Sequence, residues 1–303
     1  MVHEVLFMLK YDVIIIGKGP AGLSAALYTA RANLKTLIIG KNDSSLRKAA
    51  KIENYFGFSS PVSGDYLLDE TEKQVLRIGA EIVDDEVISI EKTDTFKVIT
   101  SKNEHEGTAV LIATGQPQKK IKIKNLEKYE GNGVSYCTTC DGYFYNNLKT
   151  GVLGNKDYAI HEAMELEAYT NDITIFTNGK ELEVSEKYLN ELSRFRINKK
   201  IITEVSGADF LQRITFSDGT SEEIDGIFIA SESASSVDFA RKLGVITEGN
   251  SIVTDKEQQT NLKGLFAAGD CTGGLKQIST AVGSGALAGK KMIEYIRNLS
   301  KTK

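Results

Sequence analysis

The sequence predicts an α/β protein made of two similar halves, and three observations carry that prediction. Near the N-terminus a nearly continuous apolar run feeds a glycine-rich loop and then a stretch of alanine and leucine at helical spacing. The same order of strand, loop and helix recurs from Gly151. Each unit is followed by short alternating runs separated by polar turns, the pattern of an antiparallel meander. Repetition of a whole architecture within 303 residues predicts two domains, and that length is enough for two substantial cores.

The elements follow in order. Asp12–Ile16 is apolar almost throughout, as strands buried on both faces of a parallel sheet are. Ala21–Arg31 is helical in pattern, Asn33 suits the helix end, and Thr36–Ile39 returns as a second strand. From Glu86 the runs EVISIEK, TFKVITSK and TAVLIATG predict a small meander. Residues 117–134 are polar and lysine-rich and read as a crossing between domains. In the second half DITIFT, 172–177, is the second strand, and a further meander ends in GIFIA, 226–230. After about residue 247, GLFAAGD and an alanine- and glycine-rich helix match neither meander and are expected to complete the first domain.

Composition narrows the function. With 41% hydrophobic and 26% charged residues the chain is globular. A net charge of −4 offers no global basic field, which argues against nucleic acid or an anionic membrane as partner. The opening MVHEVLFMLK has no basic leader, and nowhere do eighteen apolar residues run together, so a cytoplasmic protein without a membrane span is expected. Three cysteines, Cys137, Cys140 and Cys271, are too few and too sparse for an extracellular disulfide framework.

Three motifs carry chemistry. Gly17-Lys18-Gly19-Pro20-Ala21-Gly22 lies between a predicted strand and a predicted helix, the context that gives G-x-G-x-x-G its meaning. Gly17 permits the tight turn, Gly19 the approach of a pyrophosphate to backbone, and Gly22 the close packing of helix on strand. The helix opening at Pro20 and Ala21 supplies free N–H groups to an anion. The acidic ribose ligand usual about 20 residues later is missing, with Gly40-Lys41 there and Asp43 slightly late. Second, Gly264–Asp270 ends a strand in Gly269 and a carboxylate, Asp270, which could accept a hydrogen bond from a ribityl hydroxyl. Gln277 and Ile278 then begin a helix whose amides could face a flavin ring; an ordinary strand-to-helix loop is the alternative. Third, Cys137-Thr138-Thr139-Cys140-Asp141 has the spacing of a redox pair. A zinc site needs more ligands, and the three histidines show no paired pattern, so no metal is expected. Asp141 could move the proton of thiol–disulfide exchange or simply serve a turn, and Cys271 reads as a packing residue.

In this order the motifs resemble the low-molecular-weight thioredoxin reductases over nearly the whole chain: GKGPAG, TARANLKTLIIG, NYFGF, ATG at 113–115, CTTCDG, GLFAAGD and KQISTAVGSGALA. The resemblance implies two Rossmann-like dinucleotide-binding domains. The FAD domain would take 1–116 and 247–303, and a central domain of the NADPH type, carrying CxxC, would take 117–246. It implies that Cys140 contacts the flavin, Cys137 attacks the thioredoxin disulfide and Asp141 is the acid. It places Gly17, Gly19, Pro20, Ala21, Gly22, Gly40, Lys41, Asn54, Gly115, Gly269, Asp270, Lys276, Gln277 and Ile278 at FAD, with Lys276 where the family usually has arginine. Ser44-Ser45-Leu46 replaces the family's Gly-Gly-Gln. A homodimer, and some rotation of the central domain in turnover, are also implied.

The central domain departs from the family. Its G-x-G-x-x-A reads Gly154-Asn155-Lys156-Asp157-Tyr158-Ala159, its arginine cluster reads Thr177-Asn178-Gly179-Lys180-Glu181-Leu182-Glu183, and its glycine-bearing strand end reads Ile229-Ala230-Ser231-Glu232-Ser233. Lys156 puts a side chain where pyrophosphate must touch backbone, and a guanidinium pair to read a ribose 2′-phosphate is absent. The pattern resembles the ferredoxin-dependent flavin thioredoxin reductases, with reduced ferredoxin as donor. Candidate docking patches are Lys119, Lys120, Lys122, Lys124 and Lys128, or Arg194, Arg196, Lys199 and Lys200. The alternatives are an NADPH-dependent reductase, an oxygen-dependent dithiol oxidase and a non-catalytic FAD-binding protein.

Overall fold

The computed structural model describes residues 9–42, 44–115, 121–231 and 234–301. It comprises two compact units, Met1–Pro117 with Ser235–Lys303, and Gln118–Ala234. In chain order the first unit opens with β1 (Leu9–Ile16), α1 (Pro20–Arg31), β2 (Thr36–Ile39), α2 (Gly64–Arg77), β3 (Glu81–Val83), β4 (Val87–Lys92), β5 (Phe96–Thr100) and β6 (Glu104–Ile112). The central unit holds β7 (Val134–Ser135), α3 (Thr138–Asp141), β8 (Thr150–Leu153), α4 (Asp157–Leu166), β9 (Ile173–Phe176), α5 (Glu186–Leu189), β10 (Arg196–Asn198), β11 (Ile202–Ser206), β12 (Arg213–Phe216), β13 (Ser221–Glu223) and β14 (Gly226–Ile229). The chain then returns to the first unit with α6 (Ser236–Lys242), β15 (Thr247–Glu248), β16 (Ser251–Ile252), β17 (Leu265–Ala267) and α7 (Ile278–Lys301).

In the first unit β3, β2, β1 and β6 form a parallel sheet in that order. Strand β6 divides its other edge: residues 104–107 pair antiparallel with β5, and Val110–Ile112 pair parallel with β17. Ile14–Ile16 of β1, Leu37–Ile39 of β2 and Leu111 and Ile112 of β6 are buried, as strands covered on both faces must be. Helices α1 and α7 pack backbone to backbone. A Cβ on Gly285 or Gly289 would lie 2.1 or 2.7 Å from the carbonyl oxygens of Ala21 and Ala25, and Ser24 Oγ donates to Val282 O at 2.8 Å.

The central unit repeats the plan with a five-stranded parallel sheet, β10-β9-β8-β14-β7, and a separate antiparallel β11-β12-β13. Three sequence readings need correction. GIFIA does not close the meander; as β14 it enters the parallel sheet beside β8, which its unbroken apolar run suits. The lysine-rich stretch before Val134 is more than a crossing. Ile123, Leu126 and Tyr129 recur every third residue and are buried in the central core. The return to the first unit comes at 235, not 247. Helix α6, capped by a reciprocal Ser235–Asp238 box, buries Val237, Phe239 and Ala240, and its Ser236 Oγ donates to Gly115 O at 3.5 Å. Helix α2 went unread in the sequence. Among the described residues no helix is long and apolar enough to cross a membrane.

Candidate functional site

In the first unit the predicted glycines gather at the C-terminal edge of the parallel strands. Gly17 follows β1 at φ +109°, donates to Ile39 O at 2.8 Å, and a Cβ on it would lie 2.3 Å from Ala113 O. Gly19 is the N-cap of α1 and has no side-chain cap; Pro20 is the first helical residue and Ala21 is buried behind it. A Cβ on Gly22 would sit 1.9 Å from Gly17 O, so helix and loop touch there. Around Gly19, by contrast, a Cβ would meet nothing within 4 Å. Gly40 follows β2, Gly115 (φ +71°) follows β6, and Gly269 (φ +81°) follows β17. Strand β1 lies between β2 and β6, so the chain crosses over in opposite directions on its two sides. That is the switch point where open α/β sheets hold ligands.

The remaining predicted contacts lie on loops around that edge. Asn54 Nδ2 donates to Gln277 Oε1 at 2.8 Å, which joins the 53–58 loop to the start of α7 at Ile278. Gly269 N–H donates to Ser284 Oγ at 3.0 Å. Burial pushes the Asp270 carboxyl above its ordinary range, and the charge of Lys276 opposes the shift. Cys271 is fully buried and donates to Ala268 O and Ile112 O at 3.2 and 3.4 Å; burial pushes its thiol up to about 12. It is a packing residue. Asp43 lies outside the described residues.

Carboxylates that the sequence did not single out lie at the same edge. The Asp84–Glu86 link after β3 returns to the same edge: the buried Glu86 pairs with Lys41, Asn42 Nδ2 donates to Asp84 Oδ2 at 2.9 Å, and the buried Lys18 reaches Asp84 at 3.9 Å. Among the described residues, Glu86 Oε1, beside Lys41, is buried without a hydrogen-bond partner.

In the central unit Cys137 and Cys140 form a disulfide with Sγ–Sγ 2.04 Å. Cys137 is buried, caps the single turn α3, and accepts from Cys140 N–H at 3.1 Å; Cys140 is exposed. Asp141 is half-buried and accepts from Ser135 Oγ at 2.7 Å, while Cys137 N–H donates to the same hydroxyl at 3.1 Å. Ser135, buried on β7, thus links Asp141 to Cys137, and nothing in the motif announced it. Burial, with the Asp141 charge second, pushes the Tyr145 phenol up. Tyr143 and Phe144, just past the disulfide, are 70% and 72% exposed.

The degenerate loop is closed by the chain itself. Gly154 N–H donates to Phe176 O at 3.0 Å, and a Cβ on Gly154 would lie 2.2 Å from Ala230 O and 2.7 Å from Ala159 Cβ. The segment after β9 then crosses the loop: Asn155 Nδ2 donates to Glu181 O at 2.9 Å, Glu183 N–H to Asn155 O at 2.8 Å, and Ser185 N–H to Asp157 Oδ1 at 2.7 Å. Asn155 and Asp157 are buried under it. Glu232 and Ser233 of the third altered motif lie outside the described residues.

The basic run at 194–200 is matched by carboxylates of the same unit. Arg194 pairs with Glu167 and Glu191, Arg196 with Asp172 at 2.6 Å, Lys199 with Glu181 at 2.7 Å and Lys200 with Asp218 at 2.8 Å. In the first run Lys124 pairs with Glu204 at 3.0 Å and Lys128 lies over the Tyr129 ring. Lys119 and Lys120 lie outside the described residues.

Comparison with known proteins gives these features a family. The model of the pyridine nucleotide-disulphide oxidoreductases matches residues 11–285. A thioredoxin reductase of Listeria innocua is 35% identical, with 96% of this chain and 95% of the relative aligned. The chain belongs to the thioredoxin reductase family. Among solved structures, the atypical thioredoxin reductase TRi of Desulfovibrio vulgaris Hildenborough is 40% identical with a TM-score of 0.91, over 95% of this chain and 98% of that one. A ferredoxin-flavin thioredoxin reductase of Clostridium acetobutylicum is 29% identical with a TM-score of 0.69, over 96% and 99%. The chain is therefore a flavin-dependent disulfide oxidoreductase with the two dinucleotide-binding domains of its family, and its cofactor is FAD. The first unit fits that group: the space a Cβ would fill at Gly19 is open, and the uncapped amides of α1 border it.

Proposed function

We propose that this thioredoxin reductase passes electrons from reduced ferredoxin, through FAD and the Cys137–Cys140 disulfide, to thioredoxin, and does not use NADPH. One observation carries the choice of donor: Glu181–Ser185 is hydrogen-bonded across Asn155–Asp157, the backbone a pyrophosphate would need. The likeness to a ferredoxin-flavin thioredoxin reductase over nearly the whole chain supports the same reading. The energetics allow it: from about −400 mV for a plant-type ferredoxin to about −270 mV for thioredoxin is a drop of roughly 130 mV, or about 6 kcal/mol for two electrons.

Gly17, Gly19 and Gly22, Gly40 and Lys41, and Asn54, Gly115, Gly269, Asp270 and Gln277 would hold FAD, whose chemistry would be to take up electrons singly and release them as a pair. Glu86, with its free oxygen beside Lys41, takes the role of the ribose acceptor missing after β2. Cys140, the exposed sulfur, is the flavin-side thiol. Cys137 attacks the thioredoxin disulfide once reduction has freed it from Cys140 and uncovered it. Asp141 delivers and removes the proton, and Ser135 aligns it with the Cys137 end of the turn. Tyr143 and Phe144 offer an exposed apolar platform beside the disulfide, which suits a protein substrate.

The test is anaerobic. Reduced ferredoxin is expected to bleach the bound flavin within seconds and NADPH to leave it yellow; fast bleaching by NADPH would overturn the choice of donor. Cys137→Ser and Cys140→Ser are each expected to lose more than about 99% of thioredoxin reduction while keeping the flavin.

A further inference from the structure

Helix α4 follows the closed loop, yet its next turn is spent on the disulfide. Glu162 is 2% exposed, and its Oε2 accepts from Thr138 Oγ1 at 2.7 Å and from Thr138 N–H at 3.4 Å. Thr138 is itself fully buried and is the first residue of the turn that Cys137 caps. One helical turn further on, Glu165 Oε2 lies 3.5 Å from Thr139 Oγ1 and Oε1 lies 3.2 Å from His161. Both threonines of CTTC are therefore attached to carboxylates at i and i+3 of one helix.

We propose that Glu162 is a positioning residue for the dithiol, anchoring Thr138 so that the Cys137 sulfur stays under the Cys140 N–H, and setting a buried negative charge beside Cys137 that makes the dithiol a stronger reductant. The proposal rests on the reading of Cys137–Cys140 as the reactive pair. Reduction breaks the Sγ–Sγ bond: two electrons, delivered by the reduced flavin in turnover, and two protons give two thiols. Loss of one proton from Cys137 gives the thiolate that attacks a thioredoxin sulfur, whose partner sulfur leaves with the electron pair. Thiolate formation is aided by the Cys140 N–H, which already donates to Cys137 Sγ at 3.1 Å. The Glu162 carboxylate, bound to the same turn, opposes it. A thiolate held less favourably means a reduced form held less favourably, and so a lower potential. Among the described residues the titratable groups around this turn include Asp141, Tyr143, Tyr145, His161, Glu165 and Tyr169; Asp141 is tied to Ser135, and His161 and Glu165 are tied to each other.

The experiment follows alkylation of Cys137 by iodoacetamide against pH in flavin-loaded Cys140→Ser protein, where the attacking thiol stands alone. Glu162→Gln in that background keeps the hydrogen-bond acceptor and removes the charge, and is expected to lower the alkylation midpoint by about one pH unit. Glu162→Asp, which restores the charge, is expected to lie closer to the parent than to Glu162→Gln. An unmoved midpoint in Glu162→Gln, or equal shifts in both variants, overturns the proposal. Should Glu162→Gln not fold, Thr138→Val tests it from the other side. It detaches the acid from the turn, and the midpoint is expected to move from that of the parent; no change overturns the proposal. Alkylation reads Cys137 whether or not electrons reach thioredoxin, so its outcome is separate from the Cys137→Ser test of the reading itself.

Discussion

Gly17–Gly22 and Gly154–Ala159 are one turn built twice, with different consequences. In both, the first glycine donates to the end of the neighbouring strand, Ile39 O at 2.8 Å or Phe176 O at 3.0 Å. In both, a Cβ on it would strike the carbonyl that follows the strand on its other side, at Ala113 or Ala230. In both, the last position packs back on the first, Gly22 against Gly17 O and Ala159 against Gly154. The middle position differs. Gly19 and Lys156 are both extended N-caps without a side-chain cap, but Gly19 faces open space while Lys156 bridges to Glu183 in the crossing segment. The outer residues of the loop thus serve packing in both units, and only the middle position differs.

Three experiments break or sharpen that comparison. The largest effect belongs to the shared packing. Gly22→Val and Gly154→Val, which force atoms into backbone oxygens 1.9 and 2.2 Å from the first added carbon, are each expected to abolish soluble folded protein or lower Tm by more than about 10 °C. A Gly154 variant as stable as wild type would mean that the central loop is no longer structural. Next comes the ligand position. Gly19→Lys makes the first loop read like the second; it is expected to keep the far-UV circular dichroism spectrum and cut the flavin-to-protein ratio by about tenfold or more. Retained flavin would show that the middle glycine is dispensable. The smallest effect separates the units in acid. His105, buried in the first unit against Tyr11, is pushed below its ordinary value by burial, with Asp85 and Glu81 opposing. Its contribution to stability is therefore present above the unfolded-state value of 6.5 and is lost as pH falls through the depressed folded value. His105→Phe is expected to flatten the loss of Tm between pH 7 and about pH 5 by a few degrees, read by flavin release. An unchanged slope would place the acid sensitivity elsewhere.

Much of the fold was legible because the strands of a parallel sheet are apolar on both faces and the glycine loop falls between strand and helix. Thr36–Ile39 matches β2 residue for residue. What went unread depended on distant chain. Glu86 reaches Lys41 only because β3 lies beside β2, Ser135 meets Asp141 only once α3 has turned, and Glu162 lies 24 residues from Thr138. Residues 117–134 misled for a local reason: lysines surround apolar residues spaced three apart, and composition hid the spacing. The altered GNKDYA and TNGKELE motifs could be read separately, but not that one lies across the other.

The split pairing of β6 also sets an order of events during synthesis. The central unit is one continuous stretch and has all its parts once Ala234 has left the ribosome. The first unit lacks β17, which completes the edge of β6, and α7, whose Gly285 and Gly289 seat α1 behind the glycine loop, until both have been synthesised after the central unit. Domains fold as units when their parts are available. The inserted unit is therefore expected to mature first, and flavin uptake to wait for a chain that extends through α7.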